Sequence, residues 1–290
     1  MFETSKSNLV NHLKNDLGIL SDDLVFMFSG ILGLGKLENG LETIESAINE
    51  VLPKGTLIIP TFSYSWSNGK EFNKSTPCPE MGSFSNYVLN LPNYLRTSNP
   101  NFSVSIRKNK FNNKLVNHFL EVDNDCFGES SIFGKIVNYA KKNRAWVLLL
   151  GGAFNDVKYR STFIHYAQQK VGVPHRYVKS FKSPKNPNLK VTQLVRCLSR
   201  EEMTQNHSND QNIKFNFPIE ENYFIYGEEL DKAGLIINKD FGYYPSRMVS
   251  VKDSVNFYIK RVKQDPYYCI DKKSLESVSY THLTLPTISW

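Results

Sequence analysis

The strongest constraint on the fold lies between Ala145 and Phe181. The segment Ala145–Leu150 (AWVLLL) is an unbroken apolar run, stopped by Gly151-Gly152 and a short polar loop. A short apolar run closed by glycines reads as a buried strand. The loop then delivers Ser161-Thr162-Phe163-Ile164-His165 at the start of a helix. A strand that hands a histidine to the following helix points to an α/β protein, in which ligands collect at the carboxyl ends of strands. His165 is the first functional candidate, and a structural imidazole is the alternative.

The N-terminal half repeats this grammar. Leu9, Leu13 and Leu17 share one helical face over residues 5–17, and Leu24–Phe28 reads as a buried strand. Ser29-Gly30-Ile31-Leu32-Gly33-Leu34-Gly35 forms the turn after it, and a helix is predicted over Leu37–Val51. Such a turn can present free backbone N–H groups to a phosphate or a thioester. It is neither a P-loop nor a dinucleotide fingerprint, because GK[ST] is absent and Lys36-Leu37-Glu38 follows the glycines. Leu57-Ile58-Ile59 is a second buried strand, and residues 67–82 read as a long surface loop.

A helix over Phe84–Leu91 ends at Pro92, and Arg96-Thr97-Ser98-Asn99-Pro100 follows. That segment reads either as a polar ligand site or as a turn. A strand at Val104–Ile106, a helix over Leu115–Val122 and a helix up to about Lys142 come next. Ser130 or Ser131 is the N-cap of the last of these. Farther on, Val191–Leu198 reads as a strand, residues 203–216 as a polar loop and Ile219–Gly234 as a helix. A final helix precedes Pro266.

Composition narrows the class. Hydrophobic residues make up 40% of the 290, enough for a sizeable core. Cys78, Cys126, Cys197 and Cys269 are scattered, without metal-ligand spacing or a disulfide framework, so reduced thiols and no metal are expected. The longest apolar run is too short to span a bilayer, and the N-terminus lacks a signal-peptide core. The expectation is a cytoplasmic protein without a membrane partner. The net charge of +7 is uneven: Val157–Arg200 has ten Lys or Arg and no acid, whereas Glu201–Asp231 is mostly acidic. Either two solvated faces neutralise each other, or an anion-attracting surface lies beside His165. No nucleic-acid recognition pattern accompanies the charge.

Several segments, taken in order, resemble the aminoglycoside 3-N-acetyltransferase family, also called antibiotic N-acetyltransferases. They are Gly55–Phe62 (GTLIIPTF), Met81-Gly82, Arg96–Pro100 with Ser103, Phe127-Gly128 with Ser130-Ser131, Leu149-Leu150-Gly151, Thr162–His165 and Asp265-Pro266-Tyr267. The resemblance covers roughly residues 10–270. It implies an α/β protein with three α/β/α layers around a central mixed sheet, distinct from the Gcn5-related fold, in a single domain over residues 1–276. Residues 277–290 (SVSYTHLTLPTISW) resemble a translated sequencing adapter and are expected to be a non-native tail.

The resemblance also implies acetyl-CoA-dependent transfer to a primary amine of an amino sugar, with His165 as general base and acetyl-CoA as co-substrate. Gln168 stands where the family has the Glu that orients and polarises the histidine, so loss of catalysis is an alternative. Phe28 stands where the family has a histidine beside coenzyme A. The backbone of Ser29, Gly30, Ile31 and Leu32 is implied for pantetheine, and Thr97 or Ser98 for the oxyanion. Ser103, Ser130, Ser131 and Phe133 complete the implied cofactor set. Tyr64, Glu80 and Asp156 are expected on the acceptor side, with Glu129 a further carboxylate. A polycationic aminoglycoside calls for carboxylates. The basic tract after Val157 favours instead an anionic acceptor such as a nucleotide-linked amino sugar. The oligomeric state stays open, a homo-oligomer included.

Overall fold

The computed structural model describes residues 1–183, 189–206 and 215–275. The expected tail at 277–290 lies outside these residues. In chain order the elements begin β1 (Glu3–Thr4), α1 (Lys6–Asn11), β2 (Leu24–Ser29), β3 (Lys36–Leu37), α2 (Leu41–Val51), β4 (Thr56–Pro60) and α3 (Ser83–Val88). They continue β5 (Tyr94–Arg96), β6 (Val104–Arg107), α4 (Asn113–Leu120), α5 (Ile132–Ala140), β7 (Ala145–Leu150) and α6 (Phe163–Val171). The remainder are β8 (Arg176–Lys182), β9 (Lys190–Arg196), α7 (Arg200–Asn206), α8 (Tyr223–Lys232), β10 (Ile236–Lys239), β11 (Ser246–Ser250) and α9 (Val251–Gln264).

Seven of the described strands form one sheet in the order β10-β11-β7-β2-β4-β6-β5. The β7-β2-β4 centre is parallel, and the outer pairings are antiparallel, so the sheet is mixed. The period of two along β2 sorts its side chains into two cores. Leu24, Phe26 and Phe28 pack with Phe133 of α5, Phe163 of α6 and Tyr258 of α9. Val25 and Met27 pack with Leu9 of α1, Ile44 and Ile48 of α2 and Phe84 of α3. Burial on both faces explains why β2 and β7 are apolar throughout. It produces the three layers, and β8 and β9 form a separate hairpin beside them. No helix among the described residues is long and apolar enough to cross a membrane.

Several elements differ from the sequence reading. The α2 helix begins at Leu41, not Leu37, because Lys36–Leu37 pairs with Glu3–Thr4 and Gly40 turns the chain at φ +58°. Tyr94–Arg96, not anticipated as a strand, is the edge strand β5, zipped against β6. The start of the expected 203–216 loop is helical: α7 is capped by Ser199, whose hydroxyl accepts from Glu202 N–H at 3.2 Å. The helix expected over Ile219–Gly234 shortens to α8, capped by Asn222. The expected N-cap at 130–131 is Ser131, which accepts from Gly134 N–H.

Candidate active site

Two strand ends meet beneath the site. Gly30 N–H, after β2, donates to Leu150 O at the end of β7 at 2.8 Å. A Cβ on Gly30 would lie 2.5 Å from Gly151 O, and one on Gly152 2.4 Å from Tyr244 Cβ. The Gly151-Gly152 break is therefore filled by neighbouring turns. It serves close chain packing.

From that junction the chain enters α6, and Thr162–Phe163 seats the helix while His165 turns toward a cleft of about 640 Å³. The cleft is walled by Phe102, Phe127, Asp156, Arg160, Gln193, Arg196 and the 220–224 segment. The Phe127 ring lies 5.2 Å from the His165 ring. His165 Nδ1 is 3.0 Å from Gln168 Oε1, one helical turn along. Burial first, then the nearby Arg176 guanidinium, depress the imidazole to about 4, against smaller raising effects from Gln168 and Glu221. His165 is thus neutral at physiological pH.

Gln168 is fully buried. Its Nε2 donates to Glu221 Oε1 at 2.7 Å and to Tyr258 Oη at 3.1 Å. Glu221 also accepts from Arg176 and from the Tyr223 hydroxyl, and it meets His175 Nε2 at 3.0 Å. Burial works to raise the Glu221 carboxyl, but His175 and Arg176 hold it well below the usual carboxylate range. Sequence reasoning missed Glu221, Tyr223 and Tyr258 as neighbours of the histidine. The one available signal was the basic tract followed by an acidic one, and Arg176–Glu221 is where the two neutralise each other. Lys158 does the same with Glu228 and Asp231.

Of the other expected site residues, Asp156 lines the cleft with His165. Tyr64 is half-buried, 5.8 Å from the Phe102 wall between ring centres. Burial, with the Glu80 charge next, pushes its phenol up to about 12. Glu80 itself is exposed on the turn Pro79–Met81. Glu129 is engaged by Lys170 and does not line the cleft. Thr97 is buried, and its hydroxyl accepts from Val104 N–H at 3.0 Å.

Ser103 is fully buried: its hydroxyl donates to Thr61 O and accepts from Arg96. Ser131 is occupied as the α5 cap, and Phe133 sits in the core against Phe26 and Phe163. Ser98 and Ser130 are exposed. Ser29 and Gly30 are half-buried, and Leu32 is 89% exposed. Ile31 and Leu32 open a 3-10 turn, whose first amides lie outside its own ladder. Among the described residues no group of three His, Cys, Asp or Glu is placed to hold a metal, and all four cysteines are buried free thiols.

The cleft charge follows the first of the two sequence readings, in which the basic and acidic stretches offset each other. Asp156, Glu220, Glu221 and Asp271 face Arg160, Arg176 and Arg196, so acid outnumbers base once folding brings the 220–222 segment to the histidine. The basic tract after Val157 does not make the cleft basic.

A three-layer α/β/α sheet carries an imidazole-bearing helix after a strand of its parallel centre, opening on a polar cleft. The chain belongs to the aminoglycoside 3-N-acetyltransferase family, whose family model matches residues 27–263, and it is an acyltransferase. Solved structures share the fold. The apoenzyme of aminoglycoside acetyltransferase AAC(3)-IVa is 19% identical, with 92% of this chain and 91% of that one covered at a TM-score of 0.66. An AAC-IIIb binary complex with CoASH is 17% identical, with coverage of 90% and 97% and a TM-score of 0.64. The YokD protein from Bacillus subtilis is 20% identical, with coverage of 91% and 95% and a TM-score of 0.66. No curated protein sequence matches the chain.

Proposed function

We propose that the protein transfers the acetyl group of acetyl-CoA to a primary amine of an amino sugar, with His165 as general base. The observation that carries this reading is a neutral His165 at the wall of a polar cleft lined by both carboxylates and guanidiniums, its Nδ1 engaged by Gln168. With Nδ1–H donated to Gln168, the Nε2 lone pair is the proton-accepting site. Acetyl-CoA supplies an activated thioester. As the amine nitrogen bonds to the acetyl carbon, His165 Nε2 takes the amine proton, the carbon–sulfur bond breaks, and the departing coenzyme A thiolate takes that proton from the imidazolium and leaves as the thiol. An imidazole already neutral needs no prior deprotonation, although its low basicity makes proton transfer late.

Asp156, Glu220 and Asp271 support a cationic acceptor of the aminoglycoside type, because carboxylates around a cleft concentrate polyamines. Arg160 and Arg196, on the same walls, favour a second reading: a nucleotide-linked amino sugar whose phosphates they would meet. Ile31 and Leu32 would hold pantetheine through their amides. Thr97 or Ser98 would donate to the oxyanion, and Ser130 would lie along the cofactor. The test is thiol release from acetyl-CoA with kanamycin-type aminoglycosides and with a panel of nucleotide amino sugars. Transfer to either class supports the chemistry and selects the acceptor. No release with any amine, from folded protein, refutes it.

A further inference from the structure

We propose that Glu221 is a positioning residue that sets the tautomer of His165 through the side-chain amide of Gln168. The argument rests on hydrogen-bond polarity. A Gln amide has one accepting end and one donating end, and its flip is decided by its neighbours. Glu221, held ionised by Arg176 and His175, can only accept. The Gln168 end 2.7 Å from Glu221 Oε1 must therefore be the NH2. The Tyr258 hydroxyl, 3.1 Å away, accepts from the same nitrogen.

That leaves Gln168 Oε1 facing His165 Nδ1 at 3.0 Å. An oxygen there requires Nδ1 to carry the hydrogen. In a neutral imidazole, Nε2 then carries the lone pair. The sense of the chain Glu221–Gln168–His165 is thus imposed from its buried carboxylate end. Without that carboxylate the amide is free to turn over. Its NH2 would then face Nδ1, the hydrogen would move to Nε2, and the base would be lost. Balancing an imidazolium is not the main effect of Glu221, because the paired Arg176 guanidinium lowers the imidazole more than Glu221 raises it.

The inference deepens the general-base reading, on which its kinetic consequence rests. Its test has a readout independent of turnover. Nitrogen-15 spectra of imidazole-labelled protein distinguish the two neutral tautomers, with His165→Ala identifying the signal. The wild type is expected to show His165 protonated at Nδ1 at neutral pH. Glu221→Gln can present either end of its own amide to Gln168, and is expected to give a tautomer mixture. Because that change also disturbs the Arg176–Glu221 ion pair, Gln168→Met is the second variant. It keeps Glu221, Arg176 and His175 together and removes only the relay.

Gln168→Met is likewise expected to lose the Nδ1–H signature, with kcat falling on the order of 100-fold and KM for the amine little changed. Hydrogen found on Nε2 in the wild type overturns the inference, as does an unchanged Nδ1–H tautomer in folded Gln168→Met. The expected tautomers without any acetyl transfer would sustain the inference and remove the proposed reaction instead.

Discussion

Restoring the family's carboxylate beside the histidine is the perturbation that separates sequence reasoning from structural reasoning. From the sequence, Gln168→Glu is a repair. In the structure the new carboxylate would lie where Gln168 Nε2 now stands, 2.7 Å from Glu221 Oε1. Two unit charges at that separation repel by about 6 kcal/mol at an effective dielectric of ~20, equivalent to ~4 units of pKa. His175 and Arg176 hold Glu221 ionised, so the introduced carboxyl group takes the proton. Once protonated, that group reproduces the polarity of Gln168: its O–H donates to Glu221 and its carbonyl accepts from His165.

The expected result is therefore no gain in transfer rate near pH 6. The sign of the stability change follows from the raised carboxyl. The folded state binds a proton that the unfolded chain has released above about pH 4.3. The variant thus loses stability against the wild type by about 1.4 kcal/mol per pH unit until the folded-state pKa is passed. For a chain of this length each kcal/mol is roughly 2–4 °C in Tm. Paired thermal melts from pH 5 to pH 8, with thiol release from acetyl-CoA, read both effects. A tenfold faster variant, or a Tm difference flat with pH, refutes the reasoning. Adding Glu221→Gln should remove the pH dependence, because the repelling partner is gone.

Further outcomes follow from the same contacts. His165→Ala should lower acetyl transfer at least 100-fold and leave the circular dichroism spectrum intact, since the side chain lies at the cleft wall; turnover near the wild-type rate would remove its role as base. Burial holds the His165 imidazole at about 4, so the acid limb of kcat/KM should fall near pH 4 rather than 6.5. The same depressed imidazole binds its proton in the unfolded chain first, so stability is lost as pH falls from 6.5 toward 4, which acid-dependent melts would read. Asp156→Asn with Glu220→Gln should raise KM for a polycationic acceptor about tenfold with little change in kcat, an effect that salt should shrink. Phe163→Ala should cost about 3–5 kcal/mol in denaturant unfolding, because its ring is 1% exposed between Phe26 and Phe133.

Local patterning carried the layered core. The apolar runs at Leu24–Ser29, Thr56–Pro60 and Ala145–Leu150 are strands because both sheet faces are covered, and such strands advertise themselves by composition. The helix carrying His165 and the Ser131 cap were legible for the same local reason. At Arg96 the sequence left a ligand site and a turn equally open, because a polar side chain there does not show what it will meet. In fact Arg96 is buried and ties the loop to the sheet edge, donating to Ser103, Thr76 O, Thr61 O and the Ser63 hydroxyl.

By itself, the sequence determined the α/β alternation, the family and the placing of one histidine at the start of a helix behind a central strand. Each is a short-range property: periodicity, glycine punctuation, or a motif within a few residues. Tertiary structure alone decided what surrounds that histidine. Glu221 is 53 residues from Gln168 in the chain and 2.7 Å from it in space. Only folding turns the acidic stretch onto the basic one, offsetting the charge of the basic tract at the cleft and supplying a carboxylate behind a glutamine that, read alone, looked like a lost charge.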